Sequence, residues 1–282
     1  MSENSLFLDY CYLPLYVFCG EHLLCARLRM SNIDASADSV EELEPVMARL
    51  RQRGPAVKIV LRGDGGFCRE KLMAWCEREG IHYIFGLAQN ARLKKQIEPE
   101  MAQAEKQYEQ SKAPARVFTE FFYATQDTWS RQRRVIAKAE HIADKANPRF
   151  VVTSLSQQQM AAQEWYEKGY CARGECPENR IKEQQLDLFA DRTRTGKMGS
   201  NQLRLYFSSI AYVLLQTLRR TALAGTELAK AQCGTIRLKL LKIGAQVRVT
   251  VRKIWISLTE GYPYAALFAR VLATLEADRF AT

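Results

Sequence analysis

The chain has 282 residues, 47% hydrophobic and 26% charged, with a formal net charge of +10. That length suits one large domain or two smaller ones with a real core, and the composition excludes a disordered polymer. The longest uncharged stretch, residues 205–218, has 14 residues and is broken by Ser208, Ser209, Gln216 and Thr217, which falls short of the roughly 20 apolar residues of a membrane span.

Taken in chain order, the opening Met1-Ser2-Glu3-Asn4-Ser5 lacks the basic and apolar regions of a signal peptide, so the expected location is the cytoplasm. Residues 10–18 and 22–30 are rich in strand-forming or apolar side chains, and Gly20-Glu21 between them suits a hairpin turn. Val40, Leu43, Val46, Met47 and Leu50 then fall at helical spacing, and Ser39 with Glu42 resembles a capping box at the start of that helix. A strand running into Asp64 follows, then a helix from about Cys68 to Glu79 and a strand over residues 82–88. Strand, strand, helix, strand, helix, strand indicates a mixed α/β sheet.

Residues 91–112 read as an exposed, charged helix. Arg116–Ala124, Arg133–Glu140 and Arg149–Leu155 then form three strand-like runs, expected as a small antiparallel insert. Beyond it, residues 159–169 are helical, and Pro177 opens a helix towards Ala190 at a position where its missing N–H is tolerated. Asn201–Arg220 reads as a strongly apolar helix. Ile236–Leu241 and the alternating run Val247–Arg252 are expected to be joined by a turn at Gly244-Ala245, and a last helix spans about Tyr264 to Glu276.

The eight cysteines include no Cys-x-x-Cys pair, and none of the three histidines lies near paired cysteines, so the spacing does not indicate zinc. They read as free thiols, several of them buried. So few histidines also argue against Ser-His-Asp or Cys-His catalysis. The charge is unevenly spread. Residues 192–253 hold 13 Lys or Arg and one acidic residue, Glu227, leaving 28 basic and 30 acidic residues elsewhere. That segment is either a solvated basic face or a track for a phosphate backbone.

Two stretches carry candidate chemistry. In Leu61-Arg62-Gly63-Asp64-Gly65-Gly66-Phe67 a carboxylate follows an apolar strand among three glycines. That arrangement can present a metal ligand to the Mg²⁺ or Mn²⁺ pair of phosphoryl-transfer chemistry. The same residues also describe a turn in which Asp64 caps the next helix. In the second stretch, residues 170–182, Tyr170 and Arg173 are three apart and Glu178 and Lys182 four apart. Arg173, Arg180 and Lys182 beside a metal-binding Glu178 would contact DNA phosphates, and Tyr170 would stack on a base or bond the backbone. An ordinary exposed, ion-paired helix accounts for the same spacing.

Several motifs in order decide the matter: Tyr12-Leu13-Pro14-Leu15-Tyr16, the Asp64 stretch, Tyr170-x-x-Arg173-Gly174 leading into Glu178-Asn179-Arg180-Ile181-Lys182-Glu183, Asp187-Leu188-Phe189-Ala190-Asp191-Arg192-Thr193, and Asn201-Gln202-Leu203-Arg204-Leu205. From about residue 10 to 275 the chain resembles bacterial insertion-sequence transposases with a group 1 DDE domain. The resemblance implies a ribonuclease-H-like mixed sheet flanked by helices, with the antiparallel β insert placed before the glutamate-bearing helix. The core would occupy residues 10–110 and 160–282, and the insertion residues 111–159. It implies a two-ion Mg²⁺ or Mn²⁺ site, with Asp64 as the second catalytic aspartate and metal ligand and Glu178 as the closing glutamate. Tyr170, Arg173, Arg180 and Lys182 would contact DNA. The implied partners are terminal inverted repeats and target DNA, with no membrane and a homodimer as the candidate assembly.

This chain departs from the family pattern in three ways. Nine residues precede the first hairpin, and Asp9 lies beside its start, so the first aspartate and an N-terminal DNA-binding region are expected to be missing. Four residues instead of three separate Arg173 from Glu178; Pro177 takes the expected position, and Glu175 is the alternative ligand. The signature lysine falls at Gln185, leaving Lys182 as the nearest basic residue on that helix. The expectation is therefore a shortened, catalytically impaired transposase. A non-catalytic DNA-binding remnant and a stand-alone ribonuclease-H-like nuclease are the alternatives.

Overall fold

The computed structural model describes residues 12–143, 145–159, 161–171 and 175–279. A hairpin of β1 (Leu15–Cys19) and β2 (His22–Arg27) leads to α1 (Ser39–Arg53), β3 (Val60–Gly63), α2 (Glu70–Arg78), β4 (His82–Leu87), α3 (Ala91–Gln96) and α4 (Glu98–Ser111). Strands β5 (Ala115–Tyr123), β6 (Arg133–Ile142), β7 (Lys145–Ala146) and β8 (Arg149–Thr153) follow. Next come α5 (Ala162–Glu164, continued by π-helical Trp165–Tyr170) and α6 (Glu175–Lys182, continued by π-helical Glu183–Asp187). The chain ends with α7 (Met198–Arg220), α8 (Cys233–Ile236, continued by π-helical Arg237–Leu241), β9 (Ala245–Val249), β10 (Ile254–Leu258) and α9 (Ala265–Arg279). Among the described residues no helix is long and apolar enough to cross a membrane.

These elements divide into two compact units, Met30–Glu175 and Met1–Arg29 with Cys176–Thr282. The first is built on a mixed sheet of order β3-β4-β8-β6-β5, with β7 on β6. β3 and β4 run parallel and the remaining pairs are antiparallel. The inner strands β4, β6 and β8 are buried on both faces; β4 and β8 are mostly apolar, whereas β6 also buries Arg133, Arg134 and Glu140. On one face Ile84, Ile136, Val151, Leu155 and Tyr166 form a cluster with Trp165 and Tyr170. The three strands expected as an antiparallel insert pair antiparallel with one another and extend the sheet of β3 and β4, because β8 pairs with β4 from Ile84↔Thr153 to Leu87↔Phe150. The compact units part at 29/30 and 175/176.

Charge inside this unit is paired. The Arg133 side chain, 2% exposed, donates to Glu70 Oε2 (2.7 Å) and to Glu77 Oε1 (2.8 Å) and Oε2 (3.1 Å). Tyr83 also donates to Glu77 (2.7 Å). Burial raises the Glu77 pKa, but the bonds from Arg133, Tyr83 and Arg131 outweigh it and hold the carboxyl down at about 2. Glu140 is tied in the same way by Arg116 (2.6 Å), Lys138 (2.6 Å) and Asn147 (2.7 Å). Two cysteines here, Cys68 and Cys76, are buried free thiols whose pKa burial raises to about 12.

In the other unit, β1 and β2 form their own two-stranded sheet, Leu15↔Arg27 to Cys19↔His22, closed at Gly20 with φ +56°. The hairpin is fastened to α7 by side-chain amides. Gln202 accepts from Leu28 N (2.6 Å) and donates to Ala26 O (3.1 Å), so one amide side chain serves β2 as a neighbouring strand's peptide would. Asn201 is fully buried and fully used: it donates to Tyr12 Oη and Thr195 O and accepts from Thr195 N and Oγ1. The conspicuous Tyr12-Leu13-Pro14 and Asn201-Gln202 motifs are thus fasteners.

Two local expectations fail for identifiable reasons. Residues 236–241 are helical, because Cys233, Ile236 and Leu240 recur at helical spacing and are buried against α7. The partner of β9 is consequently β10, in register Ile254↔Val249 to Leu258↔Ala245. At the start of α1, Asp38 is the N-cap at φ +59° and Ser39 Oγ is buried without a hydrogen bond, so the capping box does not form.

Candidate active site

Asp64 stands immediately after β3, at the carboxyl end of the parallel β3–β4 pair, where open α/β sheets bind ligands. It is exposed, and its Oδ1 accepts from Gly66 N at 2.9 Å, capping the 3₁₀ turn Gly65–Phe67. Among the described residues Oδ2 accepts no hydrogen bond. The two readings of the sequence are therefore compatible: one oxygen caps and the other faces outward.

The turn is held tightly. Arg69 bonds Asp34 Oδ2 at 2.9 Å and Gly65 O at 3.3 Å, linking the loop before α1 to the residue after Asp64. At Gly86 on β4 an added Cβ would lie 2.6 Å from Tyr170 Oη, 3.0 Å from Gly65 N and 3.3 Å from the Asp64 carbonyl carbon. The Tyr170 hydroxyl and the Asp64 turn thus meet in the space a single methyl group would fill. Tyr170 reaches this point from the end of the π-helical turn Trp165–Tyr170, a geometry that recurs at functional sites. Gly169 before it is buried, and a Cβ there would come within 2.8 Å of Trp165 and 3.0 Å of Ile84. Arg69, Asp34 and Gly86 had no signal in the sequence beyond an arginine and glycines near the Asp64 stretch.

Within the second unit, Glu178 and Lys182 are exposed on α6, and their spacing puts them on one helix face. Arg180 is two residues from each, so it points the other way. It is 8% exposed, donates to Gly20 O and lies 3.6 Å from Glu21 Oε1, which pins α6 to the β1–β2 turn. In this structure Arg180 anchors the helix and is not presented alongside Glu178 and Lys182. Further along, Glu183 accepts from Cys233 Sγ (2.8 Å) and Arg219 (3.2 Å), and Asp187 accepts from Gly234 N (2.8 Å). Burial, then the bond to Glu183, raises the Cys233 pKa far above that of a reactive thiol. Arg173 and Asp9 lie outside the described residues.

The structure thus brings Asp64 and Tyr170 together in one unit and places Glu178 and Lys182 on one exposed face of the other. Among the described residues no three His, Cys, Asp or Glu side chains form a metal-binding group. Asp64 by itself suits a hard cation: its exposed carboxylate keeps one oxygen open, and Mg²⁺ takes few protein ligands besides water and phosphate.

No curated protein matches the chain significantly. The sequence model for the transposase DDE domain group 1 matches residues 2–279. The mixed sheet flanked by helices agrees with the ribonuclease-H-like fold of DDE transposases. With nearly its whole length matched, the chain belongs to the transposase DDE domain group 1 family.

Proposed function

We propose that this transposase acts in the cytoplasm on the terminal inverted repeats of an insertion sequence and on target DNA, through a divalent-metal site to which Asp64 and Glu178 contribute. The observation carrying this reading is the open Oδ2 of Asp64 at the carboxyl end of β3, with the Tyr170 hydroxyl against the same turn. A pair of Mg²⁺ or Mn²⁺ ions supplies, when bound, a nucleophile at neutral pH and charge stabilisation for in-line displacement at phosphorus. The chain's own part is positional. Asp64 is locked by its cap and by Arg69, and Glu178 stands on a helix anchored through Arg180, Glu183 and Asp187. Lys182 on the Glu178 face and Arg173 serve the DNA phosphates, and Tyr170 orients the strand beside Asp64.

We also propose that the chain alone is impaired in strand transfer, since among the described residues no three acidic, His or Cys side chains form a metal-binding group. The test incubates the purified chain with terminal-repeat DNA and Mn²⁺. Salt-sensitive binding with preference for the repeat, without strand joining, is expected. Joining that is lost in Asp64→Asn overturns the impairment. Cleavage without repeat preference favours a stand-alone nuclease, and binding with no metal-dependent effect at all favours a DNA-binding remnant.

A further inference from the structure

Every residue of the β9–β10 hairpin, from 244 to 260, is exposed, yet a threonine closes it at each end. At the tip Thr250 N and Oγ1 both donate to Lys253 O (2.8 Å each), and Lys253 N donates back to Thr250 Oγ1 (3.1 Å). At the base Thr259 N (3.0 Å) and Oγ1 (2.9 Å) donate to Gly244 O. Five paired residues per strand make a ribbon about 17 Å long. Its faces differ. Ala245, Val247 and Val249 lie opposite Leu258, Ile256 and Ile254, so one face is wholly apolar. The other carries Gln246, Arg248, Trp255 and Ser257, with Lys253 Nζ 5.7 Å from the Trp255 ring centre. At the tip Val251 is fully exposed beside Arg252.

Charge and shape identify what covers the apolar face. Between Glu227 and Glu260 there are seven Lys or Arg and no acidic residue, and Arg248 and Arg252 meet no acidic partner among the described residues. The partner is therefore a polyanion that also offers an apolar surface, narrow enough for a face two strands wide. The minor groove of a DNA duplex is such a surface. Its walls are sugar rings and its rims are phosphates, and apolar side chains wedged between its base steps kink the duplex. Strands enter DNA grooves as pairs of this kind. An anionic lipid surface is the other polyanion with an apolar interior, and it suits the ribbon less. The aromatic anchor favoured at a membrane interface, Trp255, lies on the polar face with Lys253 and not among the valines and isoleucines.

We propose that the β9–β10 ribbon enters the minor groove and bends the duplex, with Val249, Val251 and Ile254 as the wedge and Arg248, Arg252 and Lys253 on the flanking phosphates. The proposal rests on the reading of DNA as the substrate and adds to it an activity, duplex bending, that needs no metal. It is tested with the full chain in EDTA, on a short duplex carrying a fluorophore at each end. Wild type is expected to raise energy transfer at saturation. Val251→Ser and Val249→Lys, both at exposed positions, are expected to keep the melting temperature and lose about half of that rise or more. Val249→Lys adds positive charge, so a ribbon that only tracks phosphates would bind at least as tightly and bend as before, and that result overturns the proposal. Replacing guanine by inosine removes only the amino group in the minor groove, and is expected to bring a G·C duplex to the affinity of an A·T duplex. Indifference to inosine overturns the minor-groove placement. Wild type that binds the duplex without bending it overturns the proposal and leaves the reaction assigned above intact, whereas wild type that binds no DNA overturns both. Binding to phosphatidylglycerol vesicles that duplex does not displace, lost in Val251→Ser, assigns the ribbon to lipid and also overturns it.

Discussion

The two units bury polar groups in opposite ways. In residues 30–175, buried charge is surrounded by partners and the apolar side chains of β4, β6 and β8 are inside. In the other unit, α7 buries Leu205, Tyr212 and Leu215 together with amides that hold the β1–β2 hairpin, and leaves a further apolar stripe outside. The β9–β10 hairpin repeats the pattern. Val247, Val249, Ile254 and Ile256 share one face by register, and all are exposed. One unit buries its apolar strands, and the other leaves apolar faces of α7 and of the β9–β10 hairpin exposed.

The comparison is broken most forcefully at Arg133. Arg133→Leu strands the Glu70 and Glu77 carboxylates beside a buried apolar group, and urea denaturation is expected to show a loss of about 3–5 kcal/mol. The same network predicts acid sensitivity. Because the folded Glu77 pKa is about 2, below its ordinary 4.5, its contribution is present in full above pH 4.5. It declines as the pH falls through that window towards 2. In Arg133→Leu this component of the acid transition should shrink, because only Tyr83 and Arg131 still hold the carboxylate. An unchanged acid profile would show that Glu77 draws its stability from elsewhere.

Matched apolar truncations sharpen the contrast. Ile136→Ala, at a side chain 1% exposed in the sheet, is expected to cost about 2–5 kcal/mol. Leu214→Ala, at a side chain 65% exposed, should change folding stability by no more than about 0.5 kcal/mol. Equal losses at the two sites would mean that the α7 stripe packs inside the chain. Between these extremes lies Asn201→Ala, which removes the partners of Tyr12 and Thr195 and is expected to cost about 1–3 kcal/mol by thermal unfolding.

Much of the platform was legible in the sequence, because period and turn chemistry act locally there. The alternation of β5 and β6, the Gly20 turn and the strand running into Asp64 all follow from neighbouring residues. What escaped depended on distant partners. Residues 236–241 alternate well enough for a strand until Cys233, Ile236 and Leu240 are seen to share a buried face. The anchoring bond of Arg180 to the Gly20 carbonyl, 160 residues away, had no local signal. The strands at 115–153 were recognisable, but their pairing with β4 is a register fact that no local pattern encodes. The apolar character of α7 was plain, whereas which side it buries was not. Its polar residues acquire meaning only from Tyr12, Ala26 and Leu28 at the far end of the chain.

The smallest structural change carries the sharpest question. Asparagine caps as well as aspartate, so Asp64→Asn should keep the bond to Gly66 N and leave the melting temperature unchanged. Asp64→Ala removes the cap and should cost about 1 kcal/mol. Mn²⁺ binding, followed by electron paramagnetic resonance of the free ion, should fall in both variants alike, since neither retains a charged oxygen for the metal. Stability and metal affinity would then separate at one residue, with the Asp64→Asn variant matching wild type in the first and the Asp64→Ala variant in the second. If Asp64→Asn binds Mn²⁺ as wild type does, the carboxylate is a cap and nothing more, and the metal-site assignment fails even though the fold and the family stand.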